Sequence, residues 1–175
     1  MDDSYGYGGA QALFGIIFIA YLGVLGFALL ISVAVYVLNG FAFMRLFRKT
    51  GVEPWAAWVP VFNYWRVLEL GGMPGWISLG SLIPSGSTVT AVFVAIADYR
   101  TGLAFRKTGG YVVLAIFLPF VWAFLLSSDT ENYEPGLITA AGYPPPKAGF
   151  GAPEYVHTAP APPTAPPTAP SAPNA

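Results

Sequence analysis

Few side chains in this sequence are of the kinds that perform catalysis or hold a cofactor. The chain has one histidine, His157, and no cysteine, which excludes disulfides, thiolate nucleophiles and metals held by cysteine. Haem would need an axial histidine or methionine, but Met44 and Met73 lie near the ends of apolar segments and His157 lies in a proline-rich one. A serine–lysine pair would need a lysine on the outer face, where none is predicted. We therefore expect no enzymatic activity, no cofactor and no metal site.

Ionisable side chains within a membrane would indicate transport, because they are costly there and are usually functional. None lies at the centre of a predicted membrane span. Those in the middle of the chain fall at predicted interfaces: Glu53, Arg66, Glu69, Asp98 and Arg100. Arg66 and Glu69 are three residues apart, so they are spaced to pair on one helix face. An oligomeric small-solute transporter or channel component is therefore an alternative interpretation.

The composition points to a membrane protein. Only 10% of the 175 residues are charged and 55% are hydrophobic, whereas a soluble domain has about a quarter charged residues. No charge occurs from Ser4 to Met44 or from Thr108 to Ser128. Uncharged apolar runs of about 18 residues or more indicate membrane-spanning helices. The net charge of −1 gives no reason to expect binding to nucleic acid.

The first predicted span runs from Leu13 to Leu38, and its helix is expected to continue to Lys49. Leu13–Leu38 would measure about 39 Å, enough to cross a bilayer with some tilt. Acidic residues precede it and three basic ones follow, namely Arg45, Arg48 and Lys49. The positive-inside rule then puts the N-terminus outside. The acidic start also argues against a cleaved signal peptide.

Thr50 to Gly75 is rich in tryptophan and proline. Trp55 and Trp58 fit the headgroup level of a bilayer, where one edge of the ring stays apolar and the other wet. We expect short helices lying in the cytoplasmic interface. The alternative is a loop buried against the helices.

Trp76 to Ala97 is long enough to cross, but Pro84-Ser-Gly-Ser87 divides it. Proline disfavours a helix interior by about 3 kcal/mol. Two interpretations stay open: a kinked span, or a re-entrant hairpin that returns to the side from which it started. The hairpin is slightly favoured, because it keeps all seven basic residues up to Lys107 on one side.

A third span is predicted from Gly110 to Leu126, interrupted by Pro119. A Pro/Ala-rich disordered tail is expected over residues 131–175, because such a composition cannot bury enough apolar surface to fold. With the re-entrant hairpin, the third span crosses outward and the tail emerges outside. With three straight crossings, the tail lies in the cytoplasm.

One pentapeptide occurs twice, as Phe47-Arg-Lys-Thr-Gly51 and as Phe105-Arg-Lys-Thr-Gly109. The repeat indicates either a duplicated unit or a favourable helix terminus, basic at its C-terminal end with glycine after it. Either interpretation predicts that both copies, including Arg106 and Lys107, face the cytoplasm.

Three motifs lie in the middle of the chain: Gly51, Pro54, Trp55, Trp58, Pro60 and Asn63; then Pro74 and Trp76; then Phe105, Arg106 and Lys107. Through these residues the chain, over about residues 41–128, resembles a family of small, uncharacterised bacterial multi-pass membrane domains, common in actinobacteria. A similar domain precedes signal peptidase I in some bacteria. The resemblance supports a membrane location, but it implies no activity. The family usually has glycine at the position of Arg106.

These observations predict an all-α protein with multi-pass transmembrane helices, a broken or re-entrant central helix and a disordered tail. Its parts would be an N-terminal segment (1–10), a membrane domain (11–130) and the tail (131–175). Small residues along the first span, at Ala20, Gly23 and Gly26, would allow another helix to approach closely. We expect an accessory or scaffold protein of the cell membrane, whose partners are the lipid bilayer and another membrane protein or a second copy.

Overall fold

The computed structural model describes residues 4–154. Side chains are described for residue 9 and for residues 11–154. Asp2, Asp3, His157 and residues 155–175 of the predicted tail lie outside this range. The prediction of an all-α protein is confirmed, with no strand among residues 4–154. The elements are α1 Ser4–Thr50, a first 3-10 helix Pro54–Trp58, α2 Pro60–Leu70, a second 3-10 helix Gly75–Leu82, α3 Pro84–Ala104, α4 Gly110–Phe117, α5 Pro119–Leu126 and α6 Gly136–Ala140.

Helix α1 has two parts with different surroundings. Every residue from 11 to 36 is exposed, a length of about 39 Å. From residue 37 the helix packs against the first 3-10 helix and α5, and Ala42, Leu46 and Phe47 are fully buried. The predicted continuation to Lys49 is confirmed. Among the described residues, α1 is the one helix long and apolar enough to cross a membrane.

The chain turns back at three prolines, each of which begins an α-helix. Pro60 begins α2, Pro84 begins α3 and Pro119 begins α5. Proline suits the first position of a helix, because its missing N–H would have no partner there. In each case a short helix precedes the turn, so the packed part of the molecule consists of three proline hairpins beside α1.

Contacts on either side of each proline establish the reversals. In the first hairpin the Trp55 and Phe62 rings lie 5.3 Å apart. In the second, the Thr90 hydroxyl donates a hydrogen bond of 3.1 Å to the Ile77 carbonyl. The chain therefore folds back at Pro84, as the hairpin interpretation requires, and its re-entrant position in a membrane stays a prediction. Pro84-Ser-Gly-Ser87, which divides the predicted segment, forms the first turn of α3, because proline at that position ends one helix and starts another.

The predicted third span is wrong as a straight crossing. Its two ends meet, since Lys107 Nζ lies 2.6 Å from a Glu131 carboxylate oxygen. The Leu118 backbone (φ −138°, ψ 63°) breaks the helix before Pro119, and α5 returns along α1. The ends of the segment therefore lie together, which contradicts the expected outward crossing. A multi-pass arrangement is not confirmed, because among residues 4–154 only α1 is long and apolar enough to span a membrane.

The first part of the predicted tail is not disordered but packs on the helices. Residues 136–140 form α6, and Pro146, Ala148 and Ala152 are buried. The Lys147 amide donates a 2.8 Å hydrogen bond to the Glu69 carbonyl, and the Phe150 amide donates one to the Thr50 carbonyl. These contacts outweigh the composition, which taken alone favours disorder.

Candidate functional site

The predicted aromatic residues lie on or beside the first two hairpins. Trp55 and Trp76 are 53% and 63% exposed, so both offer apolar surface to the surroundings. Trp58 instead packs on α1: its ring covers Gly40, where a Cβ atom would come within 2.7 Å of it. Tyr36 adds a hydrogen bond from its hydroxyl to the Trp58 carbonyl. The segment is thus two short helices held against α1, and its position at the headgroup level stays a prediction.

The predicted prolines act through the backbone. Pro54 starts the first 3-10 helix and Pro74 directly precedes the second, in the same way that Pro60 and Pro84 start α2 and α3. Two of the three hairpin turns share an apolar-Pro-apolar step, Val59-Pro-Val61 and Leu118-Pro-Phe120. That shared step was the signal in the sequence that α4 and α5 also form a hairpin.

The two pentapeptide copies meet at one end of the molecule but terminate their helices differently. In the first, Gly51 (φ +79°) follows α1 and the Val52 amide bonds to the Phe47 carbonyl. In the second, the left-handed residue is Arg106 (φ +58°), with the Lys107 amide bonded to the Gly102 carbonyl. Both are Schellman-type ends, shifted by three positions within the repeat. The glycine usual in the resembling family at position 106 is explained by this left-handed backbone.

Ion pairs tie the ends of the hairpins together. Arg66 pairs with Glu69 at 2.7 Å, which confirms the predicted pair, and with Glu53 at 3.1 Å. Arg106 pairs with Glu134 at 2.9 Å, and this partner raises the pKa of the exposed guanidinium. The exposed pair of Arg106 and Glu134 contributes little stability, so we take its role to be positional.

A cavity of about 580 Å³ lies between α1 and the three hairpins. Residues next to all three turns line it, among them Pro60, Ser87 and Pro119, together with Tyr36 on α1. Asp98 also lines it and lies eleven residues further along α3 than Ser87, about 16 Å away. The lining residues of α3 lie on one face of that helix. On α3 that face consists of Ser87, Thr90, Ala91, Val94, Ala95 and Asp98.

Asp98 and Asn63 are the polar groups of this central cavity without partners. Each has a buried side-chain oxygen, Oδ1, that accepts no hydrogen bond from any residue the structure describes. Asp98 is 6% exposed, and burial raises the pKa of its carboxyl from 3.8 to about 8. The sequence pointed to Asn63 through its motif, but it assigned Asp98 to a membrane interface. The burial of Asp98 was not predicted, because it depends on tertiary packing.

A model of a family of unknown function (DUF5684) matches residues 55–134. This range begins in the first 3-10 helix and ends at Glu134, the ion-pair partner of Arg106. It includes the three hairpin turns and Asp98. The matched domain is consistent with the uncharacterised family expected from the sequence. No curated protein and no solved structure is significantly similar to the chain.

Proposed function

We propose that this protein is a non-catalytic accessory or scaffold protein of the cell membrane. The observation that carries the proposal is the bare apolar part of α1, residues 11–36, all of which are exposed. Contiguous apolar patches beyond a few hundred Å² mark membrane or partner contacts in proteins. A bilayer accounts for this length, since its hydrocarbon core is about 30 Å thick. Helix α1 would then be the anchor.

The three hairpins would dip into the leaflet on the C-terminal side of α1. Large apolar side chains are exposed near their turns: Leu82 at 68%, Ile83 at 62% and Phe117 at 77%. Tyr36, at the level of the turns, lies nine residues from Arg45 along α1, about 14 Å. That depth is less than one leaflet with its headgroups. Backbone that turns at such depth is tolerated when neighbouring helices shield it.

The charges support a cytoplasmic position for the hairpin ends. Basic residues gather at the end opposite the turns, where Lys49 lies 5.8 Å above the Phe105 ring and donates a hydrogen bond to the Ser128 carbonyl. By the positive-inside rule this end faces the cytoplasm and the N-terminus lies outside. The contact with Ser128 argues that the chain after α5 starts on the cytoplasmic side, in contrast to the outside tail expected from a third crossing.

Contacts within the membrane would supply the scaffold role. Around Gly23 and Gly26 there is open space within 4 Å of an added Cβ atom, so another transmembrane helix has access to the backbone there. The exposed ring of Trp55 and the ring of Phe62, 5.3 Å apart, form a second apolar contact surface at the interface. The partner would be another membrane protein or a second copy of this chain.

Single cysteines test the arrangement directly, because the chain has none of its own. We expect Thr108→Cys and Thr130→Cys, both exposed and on either side of the third hairpin, to resist a membrane-impermeant maleimide in intact cells. Both should react after the membrane is opened. Gly9→Cys should react in intact cells. If Thr130→Cys reacted in intact cells while Thr108→Cys did not, α4 and α5 would have to cross the bilayer.

Co-purification in mild detergent tests the scaffold role separately. The intact protein should retain a membrane partner or a second copy, whereas a variant with Gly23→Leu and Gly26→Leu should lose it while remaining in the membrane. A protein that purifies alone and instead gives substrate-dependent flux in liposomes would favour the transporter alternative.

A further inference from the structure

The central cavity has the size and lining of a small-molecule site. Its volume of about 580 Å³ falls within the roughly 300–1,000 Å³ of known ligand pockets, which are mostly apolar with a few placed polar groups. Phe43, Val67 and Val94 give it apolar walls, while Asn63 and Asp98 give it buried acceptors. A buried acceptor without a donor is destabilising, and a ligand with a donor group would remove that cost.

The charge of the lining restricts the ligand. Asp98 is the acidic residue of the lining, and the other titratable side chains there are Tyr36 and Tyr64. No lysine or arginine lines the cavity among residues 4–154, so a phosphate or carboxylate group would have no counter-ion. A metal ion such as Ca²⁺ takes six to eight oxygen ligands, which these largely apolar walls do not supply. A single ammonium group at Asp98 meets this requirement, since it supplies both a positive charge and N–H donors for the buried carboxyl oxygen.

We propose that the central cavity binds a hydrophobic amine, with its ammonium group at Asp98 and its apolar body directed toward the hairpin turns. The ligand would then lie parallel to α3, along the roughly 16 Å between Asp98 and Ser87. Its charged end lies toward the basic end of the molecule, and its apolar end lies near Pro60 and Pro119.

Three probes of similar size and different charge test this in the full chain reconstituted into phosphatidylcholine nanodiscs. Titration calorimetry, with empty nanodiscs subtracted, would compare 4-phenylbutylamine, 4-phenylbutanol and 4-phenylbutanoate. We expect saturable binding of the amine, at least tenfold weaker binding of the alcohol, and none of the carboxylate. Equal binding of amine and alcohol, or no saturable binding of the amine, would overturn the proposal.

Two variants separate the carboxylate from the cavity itself. Asp98→Asn keeps the shape of the side chain and should weaken the amine at least tenfold while leaving the alcohol unchanged. Ala91→Leu adds volume two turns of α3 away from Asp98 and should weaken both probes. A cooperative thermal transition of each variant without ligand shows that the fold persists. Unaltered amine binding by folded Asp98→Asn would contradict the assignment of the ammonium group to Asp98.

Proton release gives a further readout. Because burial raises the pKa of Asp98 to about 8, its carboxyl holds a proton at pH 6, and that proton must leave when an ammonium ion binds. Amines of this type keep their charge up to about pH 10. Amine affinity should therefore rise about tenfold per pH unit between pH 6 and 7, with close to one proton released, as measured in two buffers of different ionisation enthalpy. A pH-independent amine affinity would count against the proposal.

Discussion

Asp98 is an acid that the fold holds in its uncharged form. Its folded pKa of about 8 lies above the ordinary value of 3.8 for an aspartate, so the folded state keeps a proton that the unfolded state loses. The protonated carboxyl stabilises the fold below about pH 4, and this contribution is lost progressively as the pH rises to 8.

Asp98→Asn should remove this pH dependence. We expect the variant and the natural protein to have similar stability at pH 4, and the variant to be the more stable at pH 8. The difference should grow by at most about 1.4 kcal/mol per pH unit, and by less where water enters the cavity. Thermal unfolding in detergent from pH 4 to 8 measures it. A constant difference across that range would mean that Asp98 is ionised in the folded protein.

Arg106 holds a backbone conformation that glycine adopts with less strain. Its φ of +58° brings Cβ too close to the neighbouring carbonyl oxygen. Arg106→Gly and Arg106→Ala both remove the ion pair with Glu134, but only glycine relieves the strain. The glycine variant should therefore unfold roughly 5 °C above the alanine variant, as followed by circular dichroism. Equal unfolding temperatures would show that the turn does not strain residue 106.

At the scale of the element, α1 joins the hairpins through a close helix contact. A Cβ atom on Gly40 would come within 2.7 Å of the Trp58 ring, whereas Gly26 has open space around it. Gly40→Val should therefore push Trp58 away and destabilise the packed part by about 1–3 kcal/mol. Gly26→Val is the matched control and should be nearly neutral. Tryptophan emission and thermal unfolding would report both, and similar losses in the two variants would argue against the contact.

The sequence was informative about elements wherever the signal was local. Proline at positions 60, 84 and 119 marks the hairpin turns because its missing N–H suits only the start of a helix, and the long apolar run predicts α1. The third hairpin was missed because Gly110–Leu126 has the length and hydropathy of a span. The tertiary contact between Lys107 and Glu131 shows that it folds back, and the apolar-Pro-apolar step at Leu118-Pro-Phe120 was the local sign of this in the sequence.

At the scale of the whole molecule, the central cavity arises from packing that no single segment encodes. One face of α3 presents serine, threonine and alanine at helical spacing from Ser87 to Ala95, and small residues leave space where larger ones would fill a core. That spacing is readable in the sequence, but it fits ordinary helix packing equally well. The burial of Asp98 and the packing of residues 131–154 depend on contacts between distant parts of the chain.

The hairpins give the molecule very different cross-sections along α1. Beside residues 37–50 it consists of α1 and three hairpins, whereas along residues 11–36 it is a single helix. With α1 across a bilayer, it would displace far more lipid area from one leaflet than from the other, and so act as a wedge. Copies gathered in one patch would make the membrane convex on the hairpin side. The protein would also accumulate in regions that already have this curvature.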